Sequence, residues 1–482
     1  MAENALAGTF DTAVLGAGAA GMLIALAAQA RGQRVLLVEP RAGAASNFAI
    51  SGGLFPAAGS RLQAAAGVRD SPEDWLRDLH AFAPEGAVNE RIATAVAEAL
   101  PRVVDFLLDQ AGAPVRFLPD TVAPGHRVLR FHSVQPASGA AFAAWFRSAV
   151  QARSGIVFAP HRARPRRCAS GFEIDWEDGS PAARADALVL AGGGFGGDAA
   201  MVARHIPAMA GALHNGSATN DGSTIALGVA WGAALWGMDG YQGQGHTNPG
   251  GATRLGMSIP PLGGVLVNRD GRRFVREDVG PSALAAHVLA QPGGRALEVF
   301  DAAIEAHLGN ASAYQAARAA GQVLEADSVD GLARQAGVDA QALRRTLADV
   351  AVWAARSAAS ADGSMHPGAG RARDASAQGD VAAGADERPG ADPLGRERFP
   401  RALVPPYRAS WVTGALSHTQ GGLLTDADGR VLGSDGRPLP GLYANGGCAA
   451  GLVARGGEGY LPGNGLAQAF GLGWRVAQAL VR

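Results

Sequence analysis

Residues 12–21 read TAVLGAGAAG, and the apolar run MLIALAA follows at 22–28. An apolar stretch, glycines at 16, 18 and 21, and then a helix-forming run predict strand, tight turn and helix. Each glycine has its own reason. Gly16 permits the turn, Gly18 lets backbone approach a pyrophosphate, and Gly21 lets helix pack on strand. The helix start at Ala19 and Ala20 offers free N–H groups and a positive dipole end to phosphate. A second strand is expected over 33–38 (QRVLLV), ending on Glu39, 18 positions beyond Gly21. A carboxylate there can accept both hydrogen bonds of an adenosine ribose. Pro40 and Arg41 follow directly and are taken into the same site. The plain alternative is a glycine-rich turn without a ligand, but the flanking strands and the acid point to an adenine dinucleotide.

Length and composition bound the rest. With 482 residues, the chain exceeds the ~250–300 residues at which single cores stop growing, so two domains are expected. The formal net charge is −1, which gives no electrostatic pull toward nucleic acid or an anionic membrane. Only Cys168 and Cys448 occur, excluding a disulfide framework, an iron–sulfur cluster or a cysteine-rich zinc site within the chain, and no metal site is expected. No run reaches the ~20 apolar residues of a membrane span. The first residues lead straight toward the first strand without a basic or separate apolar segment, so a cytoplasmic location is the expectation.

The block up to residue 236 alternates strands and helices. Helices are expected over 90–110, with Ile92, Val96, Leu100, Val103 and Leu107 on one face, and over 139–153. Residues 172–176 (FEIDW) alternate in period two before an Asp-Gly turn. Residues 187–190 (ALVL) run into AGGGFG at 191–196, where Gly192 and Gly193 suit another close backbone approach. From 237 the texture changes. A hairpin is expected over 265–275 around an Asn/Asp/Gly turn, with helical stretches near 295–308 and 338–357. Residues 358–398, rich in Ala, Gly, Ser and Asp, read as a connection or surface excursion. The expected division is 1–236 and 400–482 forming one cofactor domain from both chain ends, with 237–399 inserted as a cap. The fold class is therefore α/β: a Rossmann-like dinucleotide domain with an α+β capping domain.

The tail distinguishes the cofactor. LPGLYANGG at 439–447 is a strand entering a glycine turn, and Gly463-Asn464-Gly465-Leu466-Ala467 opens a last helix. A helix N-terminus aimed at a flavin pyrimidine stabilises reduced flavin, and a nicotinamide enzyme needs no such element. Here the chain resembles the flavoproteins of the fumarate reductase and succinate dehydrogenase superfamily, including the 3-ketosteroid and tricarballylate dehydrogenase branches. The motifs that carry the resemblance span nearly the whole chain: GAGAAG with Glu39, Ser51-Gly52-Gly53, AGGGF at 191–195, Asn220-Asp221-Gly222, DGRRFVRE at 270–277, SHTQGG at 417–422 and Gly441-Leu442-Tyr443. It implies bound FAD, with Asn47, Ser51, Gly52, Gly53, Asn220, Asp221, Gly447 and the 464–467 turn among its contacts. It also implies a capping domain and hydride exchange between flavin N5 and an activated carbon.

Departures from the family pattern shape the reaction. Succinate dehydrogenases attach FAD through a histidine before the Gly-Gly; residues 45–51 (ASNFAIS) have none, so non-covalent FAD is expected. Where fumarate reductases carry a carboxylate-holding arginine, this chain has Tyr460. Their acid arginine has Glu305 as its loose counterpart, and their cap histidine has Gln244. A tyrosine before a Pro-Gly turn is similar to the 3-ketosteroid dehydrogenases, where such a group polarises a ketone oxygen. Fixed donors at a developing enolate are worth about 3–4 kcal/mol each. Tyr460 and His418 are the leading substrate contacts, against plain packing of a ring and a hydrogen-bonded core histidine. Tyr241 and His246 are candidates for moving the proton. Arg455 is either a bidentate carboxylate clamp or a surface arginine; Arg254, Arg276 and Arg396 are lesser candidates. Glu277 reads as a proton-path residue or a salt bridge, and Cys448 as a small packing residue.

The expectation is an FAD-dependent oxidoreductase that desaturates a carbon–carbon bond beside a ketone or carboxylate of a small organic substrate. The electron acceptor is left open. The alternatives are an ene-reductase of fumarate reductase type and, with less support, an electron-carrying flavin subunit without its own substrate.

Overall fold

The computed structural model describes residues 6–41, 45–251, 253–309, 311–360 and 392–480. Most of the excursion expected at 358–398 falls at 361–391, outside the described residues. In chain order, the elements that matter are β1 (Thr9–Leu15), α1 (Ala19–Gln29), β2 (Val35–Val38), α2 (Glu90–Asp109), α3 (Gly139–Gln151), β3 (Ile156–Ala159), β4 (Ala163–Cys168), β5 (Gly171–Trp176) and β6 (Ala183–Leu190). They continue with β7 (Tyr241–Thr247), β8 (Val265–Val267), β9 (Arg295–Asp301), α4 (Ala302–Leu308), α5 (Ala340–Ser360), β10 (Tyr407–Thr419), β11 (Arg430–Leu432), β12 (Pro438–Ala444) and α6 (Asn464–Ala479). The chain forms two compact units: Met1–Ile206 with Gly216–Gln242 and His418–Arg482, and Pro207–Asn215 with Gly243–Ser417.

The first unit is built on a sheet of order β11-β12-β6-β1-β2-β3, with β5 beside β6 and β4 beside β5. The run β3-β2-β1-β6-β12 is parallel throughout. Strands covered on both faces need no alternation, and β2 (VLLV) is buried at every position. The order turns at β1, whose neighbours are β2 and β6, and the crevice beyond such a strand end is where doubly wound sheets bind ligands. Every residue of α1 from Ala19 to Ala28 is buried, because α6 lies against it.

Glycines make that approach possible. A Cβ on Gly471 would stand 2.8 Å from Val96 of α2, and one on Gly473 3.3 Å from Leu23 of α1. Phe470 joins Phe55 (5.1 Å, edge to face), Phe142 and Phe146 (5.7 Å, stacked) in one aromatic cluster. The tail is thus fixed to the first third of the chain by apolar burial, which is how both chain ends come to build one domain.

The second unit has a sheet in which β9 lies antiparallel between β8 and β10. Its core includes Leu266, Leu297, Val299, Phe300, Ile304 and Leu343. The helical stretch expected near 295–308 is corrected: 295–301 is strand β9, and the helix begins only at Ala302, where Asp301 caps it by accepting from Ile304 N at 3.1 Å. Six of the seven β9 residues are buried. A strand enclosed on both faces shows no period of two, so Ala-Leu-Glu-Val-Phe reads as a helix by composition alone. The hairpin at 265–275 closes through a single bridge, Val267 to Arg273, around a turn in which Asn268 Oδ1 accepts from Asp270 N and Arg272 N. Residues 400–417, grouped with the cofactor part in the sequence division, pack in the second unit because β10 is the partner of β9.

Candidate active site

The first glycine turn is held by hydrogen bonds from both neighbouring strands. Gly16 N donates to Val38 O at 2.8 Å, and Ala191 N donates to Leu15 O at 2.8 Å. Gly16 sits at φ +111°, and a Cβ there would meet Ala191 O at 2.3 Å; a Cβ on Gly21 would meet Gly16 O at 1.8 Å. Gly18 is different, with nothing within 4 Å of its Cβ position. It is the N-cap of α1 without any side-chain cap, so the helix start at Ala19 and Ala20 presents backbone toward open space. Glu39 accepts from Ala17 N (3.1 Å, Oε2) and Arg41 N (3.0 Å, Oε1). A carboxylate has about four acceptor directions, so two remain for a ribose. Beyond Pro40, Arg41 pairs with Asp221 at 2.6 Å. Ala17, Met22, Leu37, Glu39, Arg41 and Phe158 line a cavity at this point.

Other expected cofactor residues serve the surrounding loops. Asn47 Oδ1 accepts from Ser217 N at 2.6 Å, and Ser51 Oγ donates to Phe48 O and accepts from Gly53 N. Gly52 has no neighbour closer than 3.7 Å to its Cβ position, and Gly53 (φ +70°) abuts Gly139 N at 2.8 Å. Gly192, Gly193 and Gly447 are needed for close packing. Their Cβ atoms would lie 2.5 Å from Thr224 Cγ2, 2.1 Å from Asn220 Oδ1 and 2.7 Å from Gly194 N. Cys448 is buried, its thiol donates to Leu190 O at 2.9 Å, and burial pushes its pKa up to about 11. It is a packing residue.

The last helix supplies the reactive end. Gly463 caps α6 in the left-handed region without a side-chain cap. Asn464 is fully buried, yet neither its Oδ1 nor its Nδ2 has a protein partner. Buried amides without partners are costly, and this one belongs to a ligand-facing turn with Gly465, Leu466 and Ala467. These unfilled groups and the open cradle at Gly18 fit FAD.

Tyr460 and His418 meet at the same turn. Tyr460 Oη lies 3.2 Å from His418 Nε2, and Gly465 N donates to Tyr460 Oη at 3.4 Å. Burial lowers the pKa of His418 and raises that of Tyr460, and no charged side chain contributes to either shift. Both are neutral near pH 7. Gln420, which the sequence reading passed over, brings its Nε2 to 3.2 Å from His418 Nδ1. Only its place two residues beyond His418 could have signalled it.

The remaining candidates separate. Tyr241 is buried, and burial, with the charge of Glu458, raises its pKa, so its hydroxyl stays protonated near neutral pH. Arg455 is exposed, at φ +62°, and its Nη1 donates to Glu85 O at 2.8 Å. In the second unit, buried His246 has its Nδ1 3.0 Å from both oxygens of fully buried Glu298. Glu298 lies on β9, the segment read as helix, which hid the pair. Gln244 Oε1 is buried without a partner. Glu277 accepts from Arg273 (2.7 Å), Arg396 (2.9 Å) and Leu266 N (3.1 Å), making it the hub of a buried salt bridge. Arg276 pairs with Asp278, Arg254 is exposed, and Glu305 is tied to Arg408, Arg318 and Tyr314.

The fold and this constellation define a two-unit flavoprotein. A family profile described as an FAD-binding domain matches residues 11–466, and the chain belongs to that family. It is an FAD-dependent oxidoreductase. It is 27% identical over 475 residues to the probable fumarate reductase Ifc3 of Shewanella frigidimarina, covering 95% of this chain and 72% of that one. The open conformation of a flavocytochrome c3 fumarate reductase superposes with TM-score 0.76 and 24% identity, over 98% of this chain and 78% of that one. The 3-ketosteroid Δ1-dehydrogenase from Sterolibacterium denitrificans, in complex with 1,4-androstadiene-3,17-dione, superposes with TM-score 0.74 and 22% identity, over 98% and 99%. These two likenesses establish the fold. Among the described residues, no helix is long and apolar enough to cross a membrane.

Proposed function

We propose that the chain desaturates the carbon–carbon bond beside a ketone in a small organic substrate. The observation that carries this reading is the cluster of neutral groups at the start of α6: Tyr460 Oη, with His418 Nε2 at 3.2 Å and Gly465 N at 3.4 Å from it. Removing a proton next to a carbonyl builds negative charge on its oxygen, and preorganised donors stabilise that charge most where water is excluded. A carboxylate calls instead for a cation, of which bidentate arginine is the best geometry, whereas the groups that meet Tyr460 here are a neutral imidazole and a backbone N–H. The Gly18 and Asn464 turns would hold FAD without a covalent bond, and FAD would supply the two-electron acceptor. Tyr460 donates to the ketone oxygen and His418 orients Tyr460.

The reverse reaction, reduction of an activated alkene, is the second reading, favoured by the relative that is a probable fumarate reductase. The test is anaerobic. The purified holoprotein is mixed with cyclic ketones and with di- and tricarboxylates, and the flavin absorbance is followed. Bleaching by ketones alone is the expected result. Reoxidation of dithionite-reduced protein only by unsaturated acids would replace it with the reductase reading, and inertness to both would reject both.

A further inference from the structure

His418 has one ring nitrogen on Tyr460 and the other between two competing groups. Nδ1 stands 3.1 Å from Thr419 O, an acceptor, and 3.2 Å from Gln420 Nε2, a donor. The two demand opposite tautomers. A proton on Nδ1 satisfies Thr419 and turns Nε2 into an acceptor that takes the Tyr460 hydroxyl proton. A lone pair on Nδ1 satisfies Gln420, and Nε2–H then donates to Tyr460.

We propose that Gln420 is a positioning residue that keeps the His418 proton on Nε2 and so makes Tyr460 an obligatory donor to the substrate oxygen. A phenol oxygen has two acceptor directions and one hydrogen. With His418 Nε2–H and Gly465 N–H filling the acceptor directions, the phenol hydrogen has nowhere to go but outward. The opposite tautomer spends that hydrogen on His418.

Gln420 is built for such a role. It is 4% exposed, and its backbone is fixed on both sides, N donating to Gly240 O at 2.8 Å and O accepting from Gly451 N at 2.7 Å. A Cβ on Gly451 would stand 2.6 Å from Gln420 O and 2.8 Å from Gln420 Oε1, so a glycine leaves room for both the Gln420 backbone and its carboxamide. Burial also keeps the ring neutral, so the question is which nitrogen holds a single proton.

The role in catalysis rests on the desaturase reading, but the tautomer does not, and it is measured without substrate. The holoprotein is labelled with ¹⁵N-histidine, and the His418 ring is assigned by its loss in His418→Gln. Two-bond ¹⁵N–¹H correlation at neutral pH is expected to show Nε2–H in the native chain. In Gln420→Met the donor is gone and Thr419 O prevails, so the proton is expected to move to Nδ1. Gln420→Glu, which adds an acceptor, is expected to protonate Nδ1 as well. Retained flavin absorbance checks the fold of each variant. Nδ1–H in the native chain, or an unmoved proton in both variants, overturns the proposal. With a ketone substrate in hand, Gln420→Met is expected to slow flavin bleaching about tenfold or more while bound flavin is unchanged. If no ketone reacts but the proton moves as stated, the desaturase reading fails and the tautomer assignment stands.

Discussion

Tyr460 and His418 meet edge to face, their ring centroids 5.3 Å apart and planes at 77°, with the phenol oxygen 3.2 Å from Nε2. Tyr460→Phe keeps that packing and removes only the hydroxyl. The substrate-driven bleaching rate is expected to fall about 10²–10³-fold, as for loss of one preorganised donor, with flavin content unchanged. Stopped-flow mixing under nitrogen measures it. A change in apparent affinity with an unchanged limiting rate would assign Tyr460 to binding alone.

The pair of His246 and Glu298 makes a second expectation. Glu298→Gln preserves shape but replaces one carboxylate oxygen with an N–H group facing Nδ1, which disturbs the tautomer that leaves Nε2 free. In ¹⁵N-histidine-labelled protein the His246 ring proton is expected on Nδ1 in the native chain, where the carboxylate accepts it, and to shift toward Nε2 in the variant. An unmoved ring proton would remove Glu298 as the group that sets the His246 tautomer.

At the first glycine turn, Gly18 and Gly21 are expected to behave differently. Gly18 has ordinary φ −79° and empty space around its Cβ position. Gly18→Val is therefore expected to fold and yet to bind FAD about tenfold or more weakly, since the side chain occupies the pyrophosphate approach. Gly21→Ala is expected to fail in folding, because its Cβ meets Gly16 O. Flavin titration of the apoprotein with circular dichroism separates the two.

Glu277 compensates two buried guanidinium groups, and Arg396 lies 4.3 Å over the ring of Phe399. Glu277→Ala leaves both cations short of a partner and is expected to cost about 3–5 kcal/mol. Denaturant unfolding of the holoprotein reads it. A stable variant with lost turnover would instead put Glu277 on a proton path.

Two histidines, His132 fully buried and His126 partly buried, make stability depend on pH. His132 Nε2 meets Ser60 Oγ at 2.8 Å and Nδ1 donates to Arg130 O, while His126 donates from Nε2 to Pro462 O at 2.9 Å. Burial pushes both down to about 4 from an ordinary 6.5. The unfolded chain therefore binds more protons than the folded one between those values, and stability rises with pH there. The contribution is complete above pH 6.5 and is lost as pH falls to 4, about 3 kcal/mol per histidine. The melting temperature of His132→Gln is expected to fall less steeply over that window than that of the native chain.

By itself the sequence determined the dinucleotide half. Glycine spacing, apolar strands and an acid at the strand end are local signals, because each answers to backbone conformation or to burial on both faces of a sheet. The tail could be read for the same reason: Gly463, Asn464 and Gly465 mark a helix start whatever lies around them. Contacts between residues far apart were decided only in the tertiary structure. β9 is a strand because β8 and β10 enclose it, and that enclosure is what delivers Glu298 to His246. Gln420 gains its meaning from a ring two residues away whose far nitrogen touches Tyr460, 42 positions along the chain. Arg455 is drawn off by a carbonyl 370 positions before it. Hydrogen bonds depend on distances of tenths of an ångström, and no periodicity or spacing along a chain encodes those until the core has packed.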